Sequence, residues 1–365
     1  MVSQAAQELS NILQNYQIGD LVNYKQDERG YNNTNFAVET ELQGKRQKYF
    51  FRRYKTEIKE EELRFEHSII NHLVERNFDL VARLIKTRTG ESYVHLRENG
   101  EAEDGVFYAI FEFLLGDDKY TWINPTCTEE EIKNAARVLG EFHNAVFDFT
   151  PQGQRYEPEI VDLLPQISSN VVRCLDRDKH TVVDACLLEN SELIQNAIHQ
   201  AHAALNEHAC RDWVRLVNHC DFHPGNLKFS GEQIVGLCDF DWSKIDFRSF
   251  DVGLAIFYFF TDWRGERDGE LHLDRLPLFL KSYQDALKDL PGVGPFAKTE
   301  LLCLPAMISA GNLFVLNWTI MDYIHNQVDP DEYLIYLKHS VNLIKWLDDR
   351  KNRSELEKQL VSLEI

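Results

Sequence analysis

Between Val214 and Asp241 the chain reads V-R-L-V-N-H-C-D-F-H-P-G-N-L-K-F-S-G-E-Q-I-V-G-L-C-D-F-D. Apolar Val214–Val217 runs into a polar loop that carries His219, Asp221, His223 and Asn226. Two short strands, Leu227–Phe229 and Ile234–Cys238, are joined by a Ser230-Gly231-Glu232 turn, and the second ends in Asp239 and Asp241. Asp221 and Asn226 are five apart, and Asp239 lies 18 residues beyond Asp221, so a hairpin can return it to the same place. Phosphoryl transfer uses these residue types. An aspartate orients a substrate hydroxyl and accepts its proton, while an amide oxygen and a carboxylate hold hard magnesium ions against a nucleotide's phosphates. The same residues leave a second chemistry open: His219, Asp221 and His223 at alternate positions could hold zinc for hydrolysis.

The surrounding pattern is mostly β, then mostly α. Leu21–Lys25, Phe36–Leu42 and Lys48–Tyr54 read as strands around a polar Gln26–Asn35 segment and a Gln43-Gly44 turn. Ile58–Arg76 has helical periodicity, followed by candidate strands at Tyr93–Leu96 and Val106–Leu115. Gly116-Asp117-Asp118 breaks the pattern and marks a boundary between residues 1–115 and residues 116–365. Thr128 with Glu131 forms a capping box that opens a helix along Ile132, Ala135, Leu139, Phe142 and Val146. Further helices are expected at Ile160–Leu175, Ser191–Glu207 with Ser191 as N-cap, Leu276–Leu287, Thr299–Trp318 and Asp331–Trp346.

Composition narrows the partners. The chain has 365 residues, enough for two lobes, and 44% of them are hydrophobic, enough to fill them. Its 39 basic and 59 acidic side chains give a net charge of −20, which argues against nucleic acid or anionic membrane partners and suits a small-molecule ligand that carries an amine. Seven scattered cysteines without a C-x-x-C pair, and an N-terminus without a secretion-type apolar run, predict a reducing, cytoplasmic setting. Leu301–Trp318 is apolar but carries Pro305, Ser309, Gly311 and Asn312, which predicts a buried core helix.

The pattern His219-x-Asp221-x-His223-x-x-Asn226 with Asp239 downstream resembles the aminoglycoside phosphotransferase and choline kinase superfamily, and the order of elements agrees over residues 17 to 345. The resemblance implies an α+β, bilobal, protein-kinase-like fold: a small N-terminal antiparallel lobe with one helix that binds nucleotide, and a larger helical lobe with the catalytic loop and acceptor site. It implies ATP and Mg2+ as cofactors. Asp221 matches the catalytic aspartate, Asn226 and Asp239 the metal ligands, His219 a packing residue, and Asp251 the carboxylate that ties the loop to the next helix. His223 and Asp241 are supporting residues. Gly30-Tyr31-Asn32-Asn33-Thr34-Asn35 resembles the family's nucleotide loop, and is most like the homoserine kinase-like branch, where a glutamate is usual in place of Asn32. Arg52 stands where a phosphate-gripping lysine is usual, with Glu66 as its partner, and Glu112 and Leu114 match the adenine-contacting hinge. Strand alternation alone leaves Arg52 and Arg53 as rivals for the inward position. The expected activity is transfer of a γ-phosphate to the hydroxyl of a small molecule such as homoserine, an amino alcohol or an aminoglycoside, by a monomer or homodimer. The zinc hydrolase and a non-catalytic nucleotide-binding module are the alternatives.

Overall fold

The computed structural model describes residues 3–27, 33–97, 105–123, 125–177, 181–207, 213–326 and 328–361. The chain divides into two compact units, one of Met1–Gly116, Thr150–Arg155 and Val235–Cys238, the other of Asp117–Phe149, Tyr156–Ile234 and Asp239–Ile365.

The first unit contains α1 (Gln4–Leu13), β1 (Asp20–Asp27), β2 (Thr34–Leu42), β3 (Lys45–Arg53), α2 (Glu60–Glu75), β4 (Val94–Arg97) and β5 (Gly105–Glu112). The strands form one antiparallel sheet in the order β1-β2-β3-β5-β4. Gln43 and Gly44 both adopt positive φ, the geometry of a tight hairpin turn whose twist matches its strands. One sheet face packs Phe36, Val38, Tyr49, Phe51 and Ile110 against Leu9, Ile12, Leu13 and Tyr16. The expectation of a single helix here is therefore corrected: α1 is a second one. Its buried residues Leu9, Ile12 and Leu13 stand at i, i+3 and i+4, and Ser3 Oγ accepts from Ala6 N at 3.1 Å to cap it. Gly153 belongs to this unit because a Cβ there would meet the Glu61 carbonyl oxygen at 2.1 Å, and only glycine allows that approach.

The second unit contains α3 (Glu129–Ala145), α4 (Ile160–Leu175), α5 (Val182–Glu207), β6 (Arg215–Asn218), β7 (Leu227–Ser230), β8 (Gln233–Leu237, completed from the first unit), β9 (Lys244–Phe247), α6 (Arg248–Phe260), α7 (Leu276–Lys288), α8 (Lys298–His325), α9 (Pro330–Asp348) and α10 (Arg350–Val361). The capping box at Thr128 forms, with Glu131 N donating to Thr128 Oγ1 and Thr128 N donating to Glu131 Oε2. Ser191 is not a cap. The helix it was expected to open begins near Thr181, whose Oγ1 accepts from Val183 N and Asp184 N, and Ser191 instead donates to Leu188 O inside the helix. All of α6 is buried. It crosses α8 closely at Gly253, where a Cβ would lie 2.7 Å from the Met307 carbonyl carbon. α8 is long and apolar enough to cross a membrane by length and composition, yet 72% of its most apolar window is buried inside the protein.

Candidate active site

The polar loop connects β6 to β7, and the Asp239 segment connects β8 to β9. β6 and β9 pair antiparallel, which anchors the beginning of one segment beside the end of the other. The two segments meet at His219. Its ring lies 4.8 Å from that of Phe240, and Ser243 Oγ donates to its carbonyl at 3.4 Å. His219 is fully buried, and its Nδ1 accepts from Asp221 N at 3.3 Å. It therefore sets backbone geometry from inside the core.

Asp251, on the first turn of α6, fixes the loop from beneath. Oδ2 accepts from His219 N at 2.8 Å and Oδ1 accepts from Cys220 N at 2.9 Å. His143 Nε2 donates to Oδ2 at 3.0 Å, and Tyr283 hydroxyl donates to His143 Nδ1 at 2.7 Å. This clamp holds Cys220 at φ +62, a left-handed conformation that a residue with a Cβ adopts only where its surroundings force it. Asp239 has φ +67, so both carboxylate-bearing segments carry backbone strain.

Asp221 is about one-fifth exposed, at 20%. The Asn226 amide nitrogen donates to its carboxylate at 2.8 Å and to its carbonyl at 2.9 Å. The Asn226 nitrogen is thus committed to Asp221, and the amide oxygen is the end left for a cation. His223 Nδ1 accepts from Gly225 N at 3.0 Å, and its Nε2 faces Asp221 Oδ2 at 3.5 Å. Burial pushes the Asp221 carboxyl up, but His223, His219 and the Asn226 amide outweigh it and hold it below the ordinary aspartate value. Tyr258, on α6, lies next to these groups: its ring is 5.1 Å from His223, and burial together with the Asp221 charge pushes its hydroxyl well up. Nothing in the sequence spacing of Tyr258 separates it from its apolar neighbours Phe257, Phe259 and Phe260. Asp241 lies half-buried after Asp239.

In the first unit Arg52 is buried at 5% exposure. Its NH1 donates to Glu66 Oε1 at 3.1 Å and its Nε to Asn35 Oδ1 at 3.2 Å. Arg53 points the other way, to Glu8 at 3.2 Å. Of the two arginines left open by strand alternation, Arg52 is therefore the inward one. Thr34 and Asn35 belong to β2, paired with Arg53 and Arg52, so the loop is shorter than expected and Asn35 orients the guanidinium. Asn33 Oδ1 accepts from Lys55 N at 3.1 Å. Gly30 and Asn32 lie outside the described residues. Glu112 N donates to Arg83 O at 2.8 Å, whereas neither backbone group of Leu114 has a backbone partner among the described residues.

The zinc alternative needs three ligating side chains in one place. Among the described residues no three His, Cys, Asp or Glu side chains form such a group.

The sequence profile of the phosphotransferase enzyme family, APH, matches residues 23–291. The chain belongs to that family. It is a small-molecule kinase, with a hydroxyl group as acceptor. The homoserine kinase of Parvibaculum lavamentivorans is 26% identical over 339 residues, covering 91% of this chain and 92% of that protein. A microcompartment-associated aminopropanol kinase superposes with a TM-score of 0.68 at 15% identity, over 97% of this chain and 99% of that one. A choline kinase from Cryptosporidium parvum superposes with a TM-score of 0.59 at 17% identity, over 97% and 99%. These two likenesses establish the α+β, protein-kinase-like fold.

Proposed function

We propose that the protein transfers the γ-phosphate of ATP to the hydroxyl of a small, amine-bearing molecule, with Asp221 as the catalytic aspartate. The observation that carries this reading is the Asp221–Asn226 pair: an ionised carboxylate held at 2.8 Å by an amide whose oxygen is left for a cation. Asn226 and Asp239 supply hard oxygen donors of the kind magnesium prefers, and a bound magnesium ion would neutralise charge developing on the phosphates. Asp221 accepts a hydrogen bond from the acceptor hydroxyl. As the acceptor oxygen bonds to the γ-phosphorus, the bond to the β–γ bridging oxygen breaks, ADP leaves, and the hydroxyl proton passes to Asp221. His223, Tyr258 and the Asp251 clamp keep that carboxylate charged and aimed. Arg52, held by Glu66 and Asn35, is the phosphate contact of the first unit, and Leu114 offers its backbone groups to adenine.

The amine in the acceptor rests on the net charge of −20 and on what homoserine, aminopropanol and choline, named for the similar kinases, have in common, a positively charged nitrogen within a few bonds of a hydroxyl. The free cysteines among the described residues suit a reducing, cytoplasmic setting. The test is nucleotide consumption by the purified protein against panels of amino acids, amino alcohols, sugars and aminoglycosides. Acceptor-dependent ADP release with an amine-bearing alcohol is expected. Turnover confined to acceptors without an amine would overturn the amine assignment.

A further inference from the structure

The chain between α3 and α4 forms no helix or strand, yet its Thr150–Arg155 stretch belongs to the first unit. It lies on α2, the helix that carries Glu66. Gln152 N donates to Ser68 Oγ at 2.9 Å, and Gln154 N donates to the Glu61 carbonyl at 3.0 Å. Between them sits Gly153, at φ +87, so close that a Cβ would fall 2.1 Å from the Glu61 carbonyl oxygen and 2.9 Å from Phe65 N. The largely buried Arg155 guanidinium faces Glu62 at 3.6 Å and lies 5.8 Å from the centre of the Phe65 ring. Glu61, Phe65 and Ser68 stand at i, i+4 and i+7, so the stretch follows one stripe of α2 for about two turns.

The attachment matters because of what else α2 holds. Leu63, Ile69, Ile70 and Leu73 bury its apolar side, and burial of that kind is non-directional, so it does not by itself fix the helix along its axis. A slide of one residue is about 1.5 Å. Glu66 Oε1 now accepts from Arg52 NH1 at 3.1 Å, and such a slide would carry it beyond hydrogen-bond reach. Directional bonds resist the slide. Glu60 accepts from the Tyr93 hydroxyl, and His67 is bonded to Tyr54 and Ser92. The Thr150–Arg155 stretch adds the hydrogen bonds of Gln152 N and Gln154 N, the Arg155–Glu62 pair and the close fit at Gly153.

We propose that residues 150–155 position α2 for phosphotransfer: by fixing the helix along its axis they keep Glu66 on Arg52, and so keep the guanidinium aimed at the nucleotide's phosphates. Ser68, Gly153 and Arg155 are positioning residues that act through Glu66. The inference rests on the reading of Arg52 as the phosphate contact, and it adds a control on nucleotide affinity exerted by residues that do not themselves touch nucleotide.

The experiment measures ATP Kd by calorimetry, and the KM values of ATP and of the acceptor in steady-state ADP release. Gly153→Ala places a Cβ against the Glu61 carbonyl and forces the stretch off the helix. Ser68→Ala combined with Arg155→Ala removes the side-chain ties and leaves the backbone unchanged, so it carries the test should Gly153→Ala fail to fold. Each should raise ATP Kd and KM by about tenfold, the lower end of what a hydrogen bond to a charged group is worth, because Tyr93, Tyr54 and Ser92 still hold the helix. The acceptor KM should not change. In the Arg52→Met, Glu66→Leu background the same substitutions should leave ATP Kd unaltered, a coupling that a general loss of stability does not produce. Wild-type ATP affinity in the Ser68→Ala, Arg155→Ala variant and in any folded Gly153→Ala protein, or an equal loss with and without the Arg52–Glu66 pair, would overturn the inference and leave the kinase reading standing. ATP affinity insensitive to Arg52→Ala would bring down the phosphate contact itself and this inference with it.

Discussion

Replacing Asp251 by Asn changes one oxygen to an NH2 group, and the structure says what that does. The carboxylate takes three hydrogen bonds, from His219 N, Cys220 N and His143 Nε2. The best orientation of the new amide keeps its oxygen where Oδ2 serves His219 and His143. Its NH2 then faces Cys220 N, donor against donor. One buried backbone N–H loses its acceptor, at about 1–3 kcal/mol, and the two remaining bonds lose the help of the charge, which brings the total to about 2–4 kcal/mol. Cys220 is also freed from its left-handed φ of +62, and Asp221 is the next residue. A shift near 1 Å in a catalytic group costs on the order of 100-fold in rate. Urea unfolding of Asp251→Asn should show a lower midpoint at unchanged slope, and steady-state ADP release should show kcat reduced by about 10- to 100-fold with nucleotide affinity nearly kept. Stability within about 0.5 kcal/mol of wild type together with kcat within twofold would refute the clamp.

Arg52→Ala strips Glu66, 1% exposed, of its ion-pair partner and should cost about 3–5 kcal/mol in chemical denaturation. Combining Arg52→Met with Glu66→Leu should recover most of that stability but not nucleotide affinity, which calorimetry would reveal. Asp239→Ala should abolish the magnesium dependence of nucleotide binding, and titrations with and without the metal that match wild type would count against its role. His67 is buried between Tyr54 hydroxyl at 3.0 Å and Ser92 Oγ at 2.8 Å, and burial, reinforced by Arg52, takes its pKa from 6.5 to about 3. Between those values the unfolded chain binds the extra proton, so stability should fall as pH drops below about 6.5, by about 1.4 kcal/mol per unit from this residue. That component should vanish from the pH dependence of the urea midpoint in His67→Gln.

Much of the architecture could be read from the sequence because short-range signals agreed. The Thr128–Glu131 box, the Gln43-Gly44 turn and the alternation of β2 over Phe36–Thr40 are each set by neighbours within a few residues. The hydrogen-bonded pair Asp221 and Asn226 was visible for the same reason, since five residues of loop decide it. Features made by distant chain were harder to see. α10 buries only Leu356 and Leu360, too few apolar positions to show a period. α6 is buried all round, so its apolar run has no polar face to mark a helix. The position of Tyr258 beside Asp221 depends on where α6 packs, and Asp268 is tied to His339 and Asn342 on α9, more than 70 residues away.

The most direct test of the central claim is the turnover of Asp221→Asn with nucleotide binding measured on the same protein. The side chain keeps its size, and the Asp251 clamp does not depend on it. Loss of the proton acceptor should lower kcat by about two to four orders of magnitude while nucleotide affinity stays near that of wild type. Turnover close to wild type in that variant would contradict the assignment of Asp221 as the residue that orients and deprotonates the acceptor hydroxyl.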